Sequence, residues 1–164
     1  MTDETTPAAA DEKESTFLVT HVEPESAVLK DVHDGQVHTL RSNPDLDVDD
    51  AIEATLAPDP PMNVTYRAVE VTERWSLSIE RSEEPPTVHE RELAADQPVG
   101  ELVREPRAGI GEIHVLTTPE ASTERAVTDV VEDRESTLSR AARLGVNRVE
   151  IRSEPGVVSV RYLP

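Results

Sequence analysis

IHVLTTPEASTERAVTDVVEDRESTLSRAARLGVNRVEIRSEPGVVSVRYLP, residues 113–164, changes periodicity along its length. Ile113 to Thr117 is a short β-rich run. Thr118 follows as a predicted N-cap, with Pro119 at the first helical position and Glu120 in the first turn. Val127, Val130, Val131, Leu138 and Ala141 keep helical spacing, which predicts one helix to about Leu144. Gly145 stands where a helix needs a left-handed stop. Val146 to Arg152 and Val157 to Leu163 read as strands around the turn Ser153-Glu154-Pro155-Gly156. Strand, long helix and hairpin predict a small α+β unit over residues 101–164, its helix covering one sheet face.

Upstream, residues 16–82 read as strands throughout. Thr16 to Val22 is rich in β-branched residues, and Glu23-Pro24-Glu25 breaks it. Ser26 to Val32 and Gln36 to Arg41 flank His33-Asp34-Gly35, and Asp-Gly is a hairpin turn pair. Ala51 to Leu56 places Ile52, Ala54 and Leu56 on one face. Val64 to Val71 follows. Arg74 to Glu80 then places Trp75, Leu77 and Ile79 on one face, so Trp75 is expected in the core. Short strands in this number predict a small OB-like β-barrel, with an SH3-like barrel as the alternative. Residues 83–100 read as a linker with a short helix near His89 to Ala95. Residues 1–15 read as a disordered acidic tail.

Charge is the strongest compositional signal. The 164 residues carry 34 acidic and 16 basic side chains, a formal net charge of -18, and the only lysines are Lys13 and Lys30. Such a chain repels itself at ordinary ionic strength. At 1 M salt the Debye length is about 3 Å and the repulsion is screened. The 36% of hydrophobic residues are periodic, unlike those of a disordered acidic chain. The composition therefore predicts a folded halophilic protein. There is no cysteine, hence no disulfide or thiolate chemistry. The N-terminal stretch lacks the basic and apolar regions of a signal peptide. No apolar run approaches the ~20 residues of a membrane helix. The expectation is a cytoplasmic protein away from membranes.

The blocks FLVTHVEPESAVLKDVHDGQVHTLRS (17–42), RAGIGEIHVLTTPE (107–120) and STLSRAARLGVNRVEIRSEPGVVSVRYLP (136–164) resemble an uncharacterised haloarchaeal protein family, a domain of unknown function. The resemblance runs from Phe17 to Pro164 and implies no catalytic residues. The first half separately resembles OB-type barrels that bind RNA or oligonucleotides, in pattern and not in motif.

Four groups of residues invite a functional reading. Residues 101–164 hold 11 acidic residues and 9 arginines, against 23 acidic and 7 basic residues in the first 100. Arg140, Arg143, Arg148, Arg152 and Arg161 thus make a locally basic end. They read either as an anion or nucleic-acid surface or as structural partners of carboxylates. At molar salt charge alone holds little nucleic acid. Stacking would need exposed aromatics, and the predicted ligand-face strands contain none. Arg104, Arg107, Gly109 and Gly111 read as a phosphate turn or as a plain turn, because the glycines open a strand and not a helix. His21, His33, His38, His89 and His114 lack metal-ligand spacing. No nucleophile elbow or Walker loop occurs. The expectation is a non-enzymatic module with an unknown protein partner and no cofactor or metal. The alternatives are a nucleic-acid-associated protein using the arginine face and an enzyme with an unrecognised site.

If charge screening holds the fold, far-UV circular dichroism at about 2 M KCl will show a folded spectrum that weakens toward about 0.1 M. An unchanged spectrum across that range would contradict the halophilic reading.

Overall fold

In the computed structural model the described residues are 11–164, so the predicted tail at 1–10 lies outside them. The chain is mixed α+β and divides between Ser76 and Leu77 into two compact units.

The first unit contains β1 (Lys13–Glu23), β2 (Ser26–Asp31), β3 (Val37–Leu40), β4 (Asp50–Pro58) and β5 (Tyr66–Ser76). Lys13, Glu14 and Ser15, expected at the end of the tail, are instead strand residues paired with Leu56, Thr55 and Ala54. The strands close on themselves in the order β1-β2-β3-β5-β4. The link between β3 and β5 is a single parallel bridge, Leu40 to Tyr66. Inward-facing Phe17, Val19, Leu29, Leu40, Ile52 and Leu56 form the core. Each such side chain contributes roughly 1.5–3 kcal/mol by leaving water. Ile52, Ala54 and Leu56 lie inside together, as their alternation predicts. The β2–β3 turn is held by Asp31 Oδ1, which accepts from the backbone N–H of His33 at 2.7 Å.

Two strands differ from expectation. Val64–Val71 and Arg74–Glu80 were predicted as separate strands of one barrel. Tyr66 to Ser76 is instead continuous, and the next segment belongs to another sheet. Trp75 therefore lies next to the end of β5, opposite Ala51, and is half-buried, while buried Leu77 falls in the second unit.

The second unit contains β6 (Ser78–Arg81), α1 (Val88–Ala95), β7 (Leu102–Pro106), β8 (Glu112–Thr117), a 3-10 turn (Glu120–Ser122), α2 (Thr123–Glu132), α3 (Arg134–Leu144), β9 (Arg148–Glu154) and β10 (Val157–Leu163). Its sheet runs β6-β9-β10-β8-β7, with β6 parallel to β9 and the other pairs antiparallel. Alternation separates two faces. Val149, Ile151, Val158, Val160 and Tyr162 face α2 and α3, and Glu150, Ser159 and Arg161 face α1. The short helix expected near His89 to Ala95 stands at Val88–Ala95, and it packs on the sheet instead of lying in a linker. Its start is a capping box: Glu90 N–H donates to Thr87 Oγ1, and Thr87 N–H donates to Glu90 Oε1.

The single helix predicted to Leu144 is two. Asp133, at φ -83° and ψ 51°, ends α2 and begins α3. Aspartate competes with helical hydrogen bonding and suits helix ends, and it sits here next to a second carboxylate, Glu132. Thr118 does not cap the helix. Its hydroxyl bonds to that of Thr123 at 3.0 Å, and Pro119 leads into the 3-10 turn. Gly145 closes α3 at φ 75°, ψ 23°.

In the first unit His38 is buried between Phe17 and Tyr66, whose rings meet it edge-on. Its Nε2 lies 3.0 Å from Lys13 Nζ, so the neutral ring accepts from the ammonium. Burial, and then the Lys13 charge, push its pKa below the usual value. The unfolded chain protonates His38 at its ordinary value and the folded chain only at lower pH. Between the two the unfolded state holds more protons. Stability is therefore full above the ordinary value and declines as pH falls through it. Urea midpoints are expected to drop from about pH 7.5 to about pH 5.5, and to drop less in His38→Gln. His114, shifted the same way, adds to the drop, and His89, raised by its bond to Glu105, opposes it. Equal drops in both proteins would remove His38 from the account.

Candidate functional site

The five arginines of the basic end do not form one surface. Arg140 and Arg143 project from α3 on one side of the second sheet, and Arg161 meets α1 on the other. Arg148 and Arg152 share the Arg161 side by strand alternation.

On the α1 side the arginines answer carboxylates. Glu90 is fully buried, and its Oε2 accepts from Arg161 Nη1. Arg161 Nε lies 2.9 Å from Glu150 Oε1, an ion pair too poorly aligned to be a hydrogen bond. Arg152 Nε donates to the same oxygen at 2.9 Å. Arg148 pairs with Glu80 at 3.2 Å, and Arg91 with Glu154 at 3.0 Å. Two arginines and two glutamates form a chain under the helix, with exposed pairs at its rim. Such an array holds α1 in register and offers a phosphate backbone few free donors.

The Arg104 to Gly111 segment is the end of β7 and the turn into β8. Arg107 N–H donates to Gly111 O at 3.1 Å, and its Nη1 donates to Ile110 O at 2.9 Å. Gly111 has φ 105°, and a Cβ there would lie 2.2 Å from Tyr162 O, so only glycine fits. Arg107 is spent within its own turn, whereas Arg104 points away from it into a cleft.

That cleft, about 390 Å³, lies between the α2–α3 pair and the sheet. Its floor is ordered by strand register. Leu102, Leu116 and Val158 stand abreast, then Arg104, His114 and Val160, then Pro106, Glu112 and Tyr162. The floor therefore grades from apolar to ionic. Glu112 Oε1 accepts from Arg140 Nη2 at 2.7 Å, Arg140 Nε at 3.0 Å and His114 Nε2 at 2.8 Å. Burial would raise the Glu112 carboxyl, but the bonds from His114 and Arg140 hold it below its usual range. Burial, with the Arg140 and Arg104 charges, outweighs the bond to Glu112 and leaves His114 a weaker base than usual. Burial raises the Tyr162 phenol. His114 and Tyr162 rings stand 4.9 Å apart. Sequence spacing singled out Arg140, Arg143 and Arg104, but not Glu112, His114 and Tyr162 as a set. Their meeting depends on β8–β10 register, which no local pattern encodes.

Among the described residues no three His, Asp or Glu side chains gather as metal ligands, and no helix is long and apolar enough to cross a membrane. A family model described as a family of unknown function, DUF5812, matches residues 13–153. No curated protein and no solved structure matches the chain.

Arg161→Met leaves the carboxylate of Glu90 buried without its cation. It is expected to cost about 3–5 kcal/mol in urea unfolding, with partial recovery in the Arg161→Met/Glu90→Gln double variant. A loss below about 1 kcal/mol would mark the pair as a surface ion pair.

Proposed function

The chain belongs to the DUF5812 family, of unknown function, and from that premise we propose a salt-adapted, cytoplasmic, non-enzymatic interaction module. In this reading the first unit is an OB-like ring that takes up an extended protein segment. The strand order β1-β2-β3-β5-β4 and the parallel β3–β5 link support the OB-like assignment.

The observation that carries the proposal is β5. Beyond Tyr66 it pairs only with β4, so its other edge is open among the described residues. Residues 69–74 are exposed on both faces. Register slips at Val69 and Thr72 twist the strand. An open edge with alternating side chains suits strand addition by a polypeptide. Val69 and Val71 offer apolar contact, and Arg67, Glu70, Glu73 and Arg74 present both signs of charge. Two glutamates on the edge oppose a polyanion, and β2 and β3 carry no aromatic on which bases could stack. With Arg148, Arg152 and Arg161 also committed to glutamates, protein contact is favoured over nucleic acid.

Tagged full-length chain, recovered at about 2 M KCl from a halophile lysate, is expected to retain one protein partner before and after nuclease. A Val69→Asp/Val71→Asp variant, with unchanged circular dichroism, is expected to lose it. A partner lost to nuclease, or retained by the folded variant, would overturn the proposal.

A further inference from the structure

The cleft of the second unit goes beyond that reading, and it stands or falls independently of β5. Its two ends differ in chemistry. At one end Leu102, Leu116 and Val158 form an apolar row across three strands. At the other, the charges acting most strongly on the Tyr162 side chain come from Arg140, Arg104, Arg143 and a single carboxylate, Glu112. Arg104 and Arg140 thus flank the Tyr162 ring at this end, with Glu112 bonded to Arg140. Asp129 and Asp133 line the cleft from the break between α2 and α3.

Two polar groups here are unspent. Arg104 makes no hydrogen bond or ion pair among the described residues, unlike Arg148, Arg152 and Arg161. Tyr162 is 5% exposed and lines the cleft, yet its hydroxyl has no hydrogen-bond partner among the described residues. The hydroxyl is not among the fully buried unpartnered atoms, so it opens onto the cleft. Arg140 commits Nε and Nη2 to Glu112 and keeps Nη1. Glu112, accepting from Arg140 and His114, fixes this end before any ligand arrives.

We propose that the cleft binds a small aliphatic carboxylic acid, its carboxylate held by Arg104 and Tyr162 and its chain laid over Leu102, Leu116 and Val158. A guanidinium fork matches a carboxylate's two oxygens, and the phenol donates a further bond. The volume, about 390 Å³, lies at the small end of ligand pockets. Asp129 and Asp133 oppose a polyanion at the cleft, which favours a singly charged ligand. Arg104 itself is exposed at the mouth of the cleft, so at high ionic strength the bidentate geometry and the apolar row carry the binding more than charge alone.

The test is a titration of the full chain at about 2 M KCl with butyrate, hexanoate and octanoate, followed by amide NMR shifts. Saturable shifts are expected at Leu102, Leu116, Val158 and Tyr162, with affinity rising about fourfold for each added methylene until the apolar row is filled. Hexanol, which lacks the charge, is expected to bind at least tenfold more weakly, and inorganic phosphate not to produce these shifts. Arg104→Gln, removing a side chain with no partner to lose, is expected to weaken hexanoate at least tenfold without moving the thermal midpoint. Leu102→Asp, at a half-exposed position, places a carboxylate beside the ligand's chain and is expected to abolish binding in a folded protein. No saturable shift with any of the acids, equal binding of hexanol, phosphate producing the same shifts, or undiminished affinity in folded Arg104→Gln or Leu102→Asp would each overturn the proposal.

Discussion

The carboxylate of Glu90 constrains the second unit more than any other group. It is fully buried, and an ion that leaves water pays several kcal/mol unless its oxygens are satisfied. One oxygen accepts the backbone N–H of Thr87 and so starts α1, and the other accepts from Arg161 on β10. Cap and ion pair together fix where α1 begins and which strand it crosses. A well-packed apolar pair at the same place could match this in free energy. It would not specify position as narrowly, because apolar contact is non-directional. The consequence spreads along the sheet. Arg161 approaches Glu150, Glu150 accepts from Arg152, and these two arginines of the face are drawn into one structural array.

The same array explains which parts of the fold could be read in advance. The β-rich first half, the Asp-Gly turn, the Gly145 stop and the final hairpin follow from local chemistry, and they stand in the structure. Thr87-Val88-His89-Glu90 was equally legible as a capping box, although Pro85-Pro86 ahead of it favoured reading a linker. The passage from β5 to β6 was not legible. Trp75, Leu77 and Ile79 alternate without a break, and a period of two is the same whether a chain stays in one sheet or enters another. The break at Asp133 is hidden for a similar reason, since the apolar positions on either side keep helical spacing through it. Arg148, Glu150 and Arg152 on one strand face were legible by alternation, but the Arg161–Glu90 pair spans 71 positions and required the fold.

Lysine use in the first unit follows a related economy. Lys13 is one of only two lysines in the chain. Its ammonium lies 3.0 Å from Asp31, 2.7 Å from Asp34 and 3.0 Å from His38, joining the first strand to the β2–β3 turn. Burial would raise the Asp31 carboxyl, but the His33 amide and Lys13 hold it below its usual range. An ammonium is compact and rotates its three donors freely, which suits three differently placed acceptors better than a planar guanidinium. The rarity of lysine therefore does not exclude it where geometry demands it. The excess of carboxylates in this half is still left mostly facing the solvent.

The two faces of the second sheet differ in how their charges are paired. On the α1 face Arg148, Arg152 and Arg161 each meet a carboxylate, and the buried Glu90 has both oxygens occupied. On the α2–α3 face Glu112 engages Arg140 and His114, while Arg104 and the Tyr162 hydroxyl find nothing among the described residues. A chain with a twofold excess of carboxylates has ample means to pair one more arginine. It leaves an exposed cation and a phenol that opens onto the cleft unpaired beside an apolar row. Polar groups left open inside a concave, partly apolar space are stable when something else completes them, either water or a ligand of matching shape and sign. Water could satisfy the phenol and the guanidinium, but it gains nothing from Leu102, Leu116 and Val158. A molecule with a carboxylate at one end and hydrocarbon at the other answers both halves.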